Sequence, residues 1–241
     1  MDIIESVEKR KANIPCRYYT YGDEWGQVDF LINCVFDYQN NGLPKNGFFV
    51  DLACADGKYL NNTFFLEKYL GWKGLLFEVN TQYLESIKKY RTSPLVTDCV
   101  TDKIGDTVNF RLKGMLSGIV SDETYNKKAA MNRMFKKAKI IQVKTTRLDV
   151  ELDKVKAPKC IDFFSLDVEG AEHLVLRSFP FAKYQFRCMT IENPREEIDI
   201  LLDKHSYRQV AQLGGDTVYV HRDFLANVNL QPQLRFRFSP R

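Results

Sequence analysis

Residues 48–57 read Phe-Phe-Val-Asp-Leu-Ala-Cys-Ala-Asp-Gly, an apolar run followed by an acid and several small residues. An apolar run that ends at Asp51 is typical of a strand buried on both faces of a parallel sheet. The small residues let the backbone approach a ligand, and helical spacing of apolar residues starts at Lys58. This strand–turn–helix order favours a ligand at the carboxyl end of the sheet. Gly57 stands alone, so the turn is not the three-glycine dinucleotide fingerprint, and a turn without a ligand is the alternative.

A second strand is predicted at residues 74–79, one strand–helix unit downstream of Asp51, and its apolar residues lead up to the acid Glu78. In doubly wound sheets that bind nucleosides, an acid at this place accepts hydrogen bonds from the ribose hydroxyls. A solvated glutamate at a strand end is the alternative. Because three apolar residues directly precede Glu78, ribose binding is the prediction.

Residues 50–57, 62–67 and 71–78 closely resemble the FkbM-type S-adenosylmethionine-dependent methyltransferases, and residues 165–172 are similar to the second signature of that family. The resemblance implies S-adenosylmethionine as the cofactor. It also implies an α/β fold of the class I methyltransferase type, a Rossmann-like doubly wound sheet of about seven strands, with an N-terminal helical lead-in. The chain departs from the family at Ala53, where glycine is usual, and at Ala55, where asparagine is usual.

The resemblance and the strand ends together predict the residues that hold this cofactor. Asp98 and Cys99 end a predicted third strand, residues 94–100, and would lie near the adenine in this fold class. The predicted cofactor-binding residues are Asp51, Ala53, Cys54, Asp56, Gly57, Asn62, Thr63, Glu78, Val79, Asp98, Cys99 and Asp167.

Acids also end two later predicted strands, at Asp167 and at Glu192. Asp167 would lie at the topological switch point, as the neighbour of Asp51 across a cleft. The cofactor carries the difficult chemistry, but a hydroxyl acceptor still needs a base within reach of its proton. The predicted catalytic residues are Asp167, Glu169, Glu192 and His173.

Each of these residues has a structural alternative. Asp167 could bind only the amino group of the cofactor, Glu169 could cap the helix predicted to start there, and His173 could be a surface histidine. Asp167, Glu169 and Glu192 could also hold a divalent ion with oxygen ligands. No histidine cluster argues for a transition metal, and no metal is predicted.

The remaining patterns predict the other secondary structure. Helical spacing covers residues 27–38, 81–91, 148–152 and 198–204. Strands are predicted at residues 107–112, 140–146, 161–167 and 187–192, with a closing antiparallel pair at 207–213 and 216–221. A polar helix or arm (1–17) and an aromatic loop (18–22) precede them.

Length and composition favour one catalytic domain over residues 1–241. It would comprise a lead-in (1–47), a core (48–221) with a basic insertion near 113–139, and a tail (222–241). The six cysteines are scattered without a C-x-x-C pair, which favours a reducing compartment. With neither a signal peptide nor an apolar run of about 20 residues, a cytoplasmic location without a membrane span is predicted.

The acceptor is the least determined part of the function. A small molecule or glycan with a hydroxyl group is the leading prediction, from the family resemblance. Residues 127–139 carry six basic side chains and could bind the phosphates of RNA, so methylation of an RNA cap or ribose is an alternative. The same segment could be a solvated helix face. A non-catalytic binding protein is a third hypothesis, motivated by Ala53 and Ala55.

Overall fold

The computed structural model describes residues 23, 25–124 and 138–231. The predicted arm and aromatic loop of residues 1–22, the basic residues 125–137 and the tail from residue 232 lie outside the described residues. No helix in the described part is long and apolar enough to cross a membrane.

Eleven strands form two sheets in the described part of the chain. They are β1 (Phe48–Leu52), β2 (Lys73–Phe77), β3 (Leu95–Val96), β4 (Cys99–Val100), β5 (Thr107–Leu112), β6 (Gly118–Ile119), β7 (Lys139–Thr146), β8 (Cys160–Leu166), β9 (Gln185–Glu192), β10 (Tyr207–Leu213) and β11 (Asp216–His221). The main sheet has the order β10-β11-β9-β8-β1-β2-β3, and the second sheet has the order β4-β7-β5-β6.

In the main sheet the central strand β1 is parallel to both of its neighbours, β2 and β8, and β11 is the strand that runs opposite to the others, antiparallel to β9 and β10. The carboxyl ends of β1, β2, β8 and β9 therefore meet at one edge. Phe49 and Val50 of β1 are both fully buried, in two apolar clusters on opposite faces of the sheet. This two-sided burial explains the uninterrupted apolar run and confirms the predicted doubly wound sheet of seven strands.

Helices cover the faces of this sheet and connect its strands. They are α1 (Gln27–Phe30), a π-helical turn (Leu31–Val35), α2 (Tyr38–Asn41), α3 (Phe64–Leu70), a 3₁₀ turn (Thr81–Tyr83), α4 (Leu84–Tyr90), α5 (Leu148–Lys154), α6 (Glu172–Leu176), α7 (Glu196–Lys204) and a second 3₁₀ turn (Arg222–Asn227). The predicted helices at 27–38, 81–91, 148–152 and 198–204 are confirmed, as is the antiparallel pair β10–β11.

The predicted third strand, residues 94–100, is wrong as a single strand. Its first half is β3, which pairs with β2 in the main sheet. Its second half is β4, which pairs with β7 through Cys99 and Thr145 in the second sheet. The chain therefore passes from one sheet to the other at residues 97 and 98, a change that local hydrophobicity does not encode.

The helix predicted to start at Lys58 begins only at Phe64. The side chain of Asn61 competes with the helical backbone, because its Oδ1 accepts the N–H groups of Thr63 (3.0 Å) and Phe64 (2.8 Å). Leu60 has a positive φ of 51°, which ends any helix before it. Residues 53–63 therefore form an extended turn along the sheet edge.

The helix predicted from Glu169 likewise begins later, at Glu172. Glu169 and Gly170 have positive φ angles of 57° and 91°, outside the right-handed helical region. Oε1 of Glu172 accepts the N–H groups of Val168 (3.2 Å) and Gly170 (3.1 Å) and closes this turn. Glu169 is therefore free of the capping role that was its structural alternative.

Candidate active site

A cleft lies where the parallel strands end, and it consists of two adjoining pockets. The first, which we call the apolar pocket, is lined mainly by apolar side chains. The second, the acidic pocket, shares three residues with the first, namely Ala53, Ala55 and Met115. The turn after β1 thus forms the boundary between the two pockets.

The apolar pocket lies between the two sheets. Its apolar wall comes from both, with Phe77 at the end of β2 and Phe110 and Ile119 on β5 and β6. The predicted cofactor-binding residues on its wall are Ala53, Glu78, Val79, Asp98 and Cys99. Apolar walls with a few fixed polar groups are the usual surroundings of a flat organic ligand.

Glu78 is the fixed polar group of the apolar pocket and is buried to 94% of its surface. Its Oε2 accepts the N–H of Ala55 (2.9 Å), and its Oε1 accepts the N–H of Asn80 (2.7 Å). Burial raises the pKa of Glu78 to about 7, although these two hydrogen bonds oppose the shift. A carboxylate has about four acceptor sites, so Glu78 can still accept a hydrogen bond from a ligand hydroxyl.

The turn between the pockets explains the family preference for glycine at Ala53. Ala53 and Ala55 have positive φ angles of 73° and 48°, where an L residue other than glycine is strained by about 1–2 kcal/mol. The N–H groups of Ala53 and Cys54 both donate to the carbonyl of Phe77, at 3.1 and 3.0 Å, and keep the turn in place. The alanines therefore occupy the conformation that this turn requires.

Arg91 supports the turn from its buried side, and no sequence pattern predicted this role. Its side chain is fully buried, and its Nη1 donates to the carbonyl of Gly57 and to Asn61 Oδ1, both at 3.1 Å. Its Nη2 donates to Thr63 Oγ1 (2.8 Å), and its Nε donates to Glu67 (2.8 Å). Sequence patterns show an arginine at the end of a polar helix, and only the tertiary contacts distinguish it from a surface residue.

Several predicted cofactor residues belong to this support and do not line a pocket. Thr63 Oγ1 donates to Asp51 (2.5 Å), and Asp56 accepts the N–H of Lys58 (2.8 Å). Gly57 lies against Arg91, whose Cγ would be 3.1 Å from a Cβ at that position. Among the other predicted residues, Asp51, Ala53, Cys54, Asn62 and Asp167 line the acidic pocket.

Sheet register brings the acids of the acidic pocket together. Asp51 pairs with Ser165 of β8, and Glu192 of β9 pairs with Asp216 of β11. Asp167 follows β8 directly, so it lies between these two pairs. The carboxylates on the pocket wall are Asp51, Asp167, Glu169, Glu192 and Asp216, and no lysine, arginine or histidine lines it in the described part of the chain.

Three of these acids interact strongly. Carboxylate oxygens of Asp167, Glu169 and Glu192 all lie within 4.8 Å of one another. Asp167 is exposed on the pocket wall, and desolvation and the neighbouring charge of Glu192 raise the pKa of its carboxylate, with the charge as the cause that its exposed position supports. The same two causes raise the pKa of Glu169 to about 7. A carboxylate that titrates near neutral pH is suited to general acid–base catalysis.

The same geometry is compatible with an oxygen-coordinated divalent ion, because three carboxylate oxygens converge. Acidic groups in such a cluster are common without an ion. The absence of a metal therefore stays a prediction.

His173, the fourth predicted catalytic residue, lies outside the acidic pocket. It is 8% exposed and lines a separate pocket with Arg177 and Arg195. Its ring nitrogens are 3.7 Å from Glu123 and 4.0 Å from Glu197, and burial lowers its pKa. The structure does not bring His173 to the acidic pocket, because α6 carries it away from the strand ends.

The buried acids predict an unusual dependence of stability on pH. Glu78, Glu169 and Glu172 each have a pKa of about 7 in the fold, above the usual 4.5, with burial as the first cause. The folded state therefore binds more protons than the unfolded state, and the free energy of unfolding should fall as pH rises from about 5 to 8. The slope is up to about 1.4 kcal/mol per pH unit for each group.

Urea denaturation at pH 5, 6, 7 and 8 measures this dependence. Glu172→Gln keeps an acceptor for Val168 and Gly170 but removes one titrating group, so its slope should be shallower. Stability that increases from pH 5 to pH 8 would contradict the raised pKa values.

The fold and the cleft define the class I methyltransferase type: a seven-stranded sheet with one antiparallel strand, and a ligand cleft at the carboxyl ends of its parallel strands. Residues 51–211 match the family model described as the methyltransferase FkbM domain. The match covers more than half of the chain, so the chain belongs to the FkbM methyltransferase family. S-adenosylmethionine is the cofactor that this membership implies.

A solved structure that this chain matches is a TehB-like SAM-dependent methyltransferase from Corynebacterium glutamicum. It is 8% identical, with a TM-score of 0.40, and the alignment covers 83% of this chain and 89% of that chain. No curated protein matches the sequence.

Proposed function

We propose that this protein is an S-adenosylmethionine-dependent O-methyltransferase that acts on a hydroxyl group of a small molecule or glycan. The observation that carries the proposal is the division of the cleft into an apolar pocket with the buried carboxylate of Glu78 and an acidic pocket that includes Glu169, whose pKa is about 7. The first suits the adenosine part of the cofactor, and the second suits a reacting hydroxyl.

The residues present fit this cofactor. Val79, Cys99 and the other apolar residues of the first pocket would contact the base, and Glu78 would accept hydrogen bonds from the ribose hydroxyls. Asp167 and Asn62 line the acidic pocket, where a sulfonium and an ammonium group would meet negative charge. When bound, S-adenosylmethionine supplies an electrophilic methyl group.

The protein then has two tasks, to orient the acceptor and to take its proton. Glu169 has a positive φ of 57° and a carboxylate that lines the acidic pocket. With a pKa of about 7 it is deprotonated in part at neutral pH and can accept the hydroxyl proton. Glu192 lies next to it and is the second candidate for the base.

The two other hypotheses have less support. An RNA phosphate would meet the carboxylates of the acidic pocket, and the basic residues that favour RNA lie almost wholly outside the described residues. A non-catalytic protein was suggested by Ala53 and Ala55, yet both alanines adopt the left-handed conformation that the turn needs.

Loss of the Glu78 carboxylate should weaken cofactor binding. Hydrogen bonds to a charged acceptor contribute about 1.5–3 kcal/mol each, so Glu78→Ala should raise the dissociation constant of S-adenosylmethionine by more than about tenfold. Isothermal titration calorimetry measures the effect, with circular dichroism to verify the fold. The matched control is Glu85→Ala, whose side chain is 88% exposed on α4. Equal affinity in the variant and the parent protein would exclude Glu78 from the site.

A further inference from the structure

The charges of the acidic pocket bear on the chemistry of the acceptor. In the described part of the chain, Asp167, Glu169 and Glu192 form no ion pair with a basic side chain. Asp51 differs, because Arg91 Nη1 lies 3.9 Å from its Oδ2 on the side away from solvent. Negative charge therefore remains on the open side of the pocket.

The cofactor does not neutralise these acids. S-adenosylmethionine carries two positive groups and one carboxylate, a net charge of about +1 at neutral pH. Five carboxylates line the acidic pocket, and those of Asp167, Glu169 and Glu192 have oxygens within 4.8 Å of one another. These carboxylates outnumber the single net positive charge of the cofactor, so negative charge remains for the acceptor to meet.

An apolar turn borders the same pocket. Met115 and Leu116 are 46% and 42% exposed and line the acidic pocket. Their turn is well fixed, because Ser117 Oγ donates to the carbonyl of Gly114 (2.6 Å) and accepts the N–H of Lys113 (2.9 Å). Two large apolar side chains that a fixed turn exposes beside a ligand cleft indicate a ligand that covers them.

We propose that the methyl acceptor carries an ammonium group and an apolar portion near its reactive hydroxyl, and that the pocket rejects acceptors with a carboxylate or phosphate. The proposal rests on the proposed function and names the substrate class for it. The carboxylates attract the ammonium group, Met115 and Leu116 cover the apolar portion, and like charge repels an anion.

Three small phenols test this selection, since they share a ring and a hydroxyl and differ in charge. They are tyramine (cationic), tyrosol (neutral) and 4-hydroxyphenylacetate (anionic). Calorimetry measures their binding to the enzyme saturated with S-adenosylhomocysteine, in buffer with a chelator. Tyramine should bind at least about tenfold more tightly than tyrosol, and 4-hydroxyphenylacetate at least about tenfold more weakly.

Charge-neutralising variants identify which carboxylates cause the preference for tyramine. Glu192→Gln and Asp216→Asn should each reduce the ratio between tyramine and tyrosol, and Met115→Ser should weaken the binding of all three phenols alike. Glu85→Gln on the exposed face of α4 should leave the three affinities unchanged. A folded variant without Glu192 that keeps the full ratio would overturn the proposal.

The outcomes separate this proposal from the proposed function. If S-adenosylhomocysteine does not bind, both fail. If it binds and the phenols show no order by charge, or tyramine does not bind, only the acceptor class is wrong. A second series with magnesium in place of the chelator tests whether the carboxylates bind a metal ion and not an ammonium group. If magnesium binds and the preference for tyramine is lost, the carboxylates hold an ion, and the proposed ammonium-bearing acceptor is wrong.

Discussion

Replacement of Glu169 by glutamine is expected to lower turnover by about 10²–10⁴-fold, the usual contribution of a general base, and to leave cofactor affinity nearly intact. Glutamine has the same shape but cannot accept the acceptor proton. In the parent protein, kcat/KM should rise with pH and level off above about 7, because the pKa of Glu169 is about 7 and only the deprotonated form acts as a base. The variant should lose this rise.

Asp167→Asn is the contrasting variant. Asp167 directly follows β8 and lines the acidic pocket with Asp51. In the proposed binding mode it would face the charged end of the cofactor, so its loss should depress both cofactor affinity and turnover. Single-turnover methylation and calorimetry measure the two effects separately, and Glu196→Gln at the start of α7 is the control. Normal turnover of Glu169→Gln would move the base to Glu192, which lies in the same cluster.

The positions of the acids at the strand ends could be predicted from the sequence. Asp51, Glu78, Asp167 and Glu192 each follow an apolar run, and the carboxyl ends of parallel strands share one edge of a sheet. The prediction therefore needed only the strand boundaries and the parallel order. It placed these acids on the wall of one cleft, although their roles stay proposals.

Features that depend on contacts between distant residues could not be predicted. The second sheet begins where Cys99 pairs with Thr145, and no local pattern at either position indicates this pairing. His173 follows the second signature by one residue, yet it lies in another pocket because the helix starts at Glu172. Side-chain hydrogen bonds from Asn61 and Glu172 set both helix starts, and the periodicity of apolar residues does not contain them.

Removal of Arg91 should destabilise the fold and the cofactor turn together. Truncation of one partner in a buried ion pair usually costs about 3–5 kcal/mol, because the other charge stays buried without compensation. Arg91 is a cation near both Asp51 and Glu67, so Arg91→Met, which retains much of the apolar volume, leaves two buried carboxylates without this positive charge and the carbonyl of Gly57 without this donor. Arg91→Lys should recover only part of the loss, since an ammonium cannot reproduce the three-sided contacts of the guanidinium.

Urea denaturation gives the change in free energy, and calorimetry on the folded fraction gives the dissociation constant of S-adenosylmethionine. We expect weaker cofactor binding as well, because Arg91 bonds to Gly57, Asn61 and Thr63 and so fixes the turn that separates the two pockets. The matched control is Lys88→Met, three positions earlier on α4 and 67% exposed, which should change stability by less than about 1 kcal/mol. If Arg91→Met lost stability while cofactor affinity stayed constant, the turn would hold its conformation through the bonds of Ala53 and Cys54 to Phe77 alone.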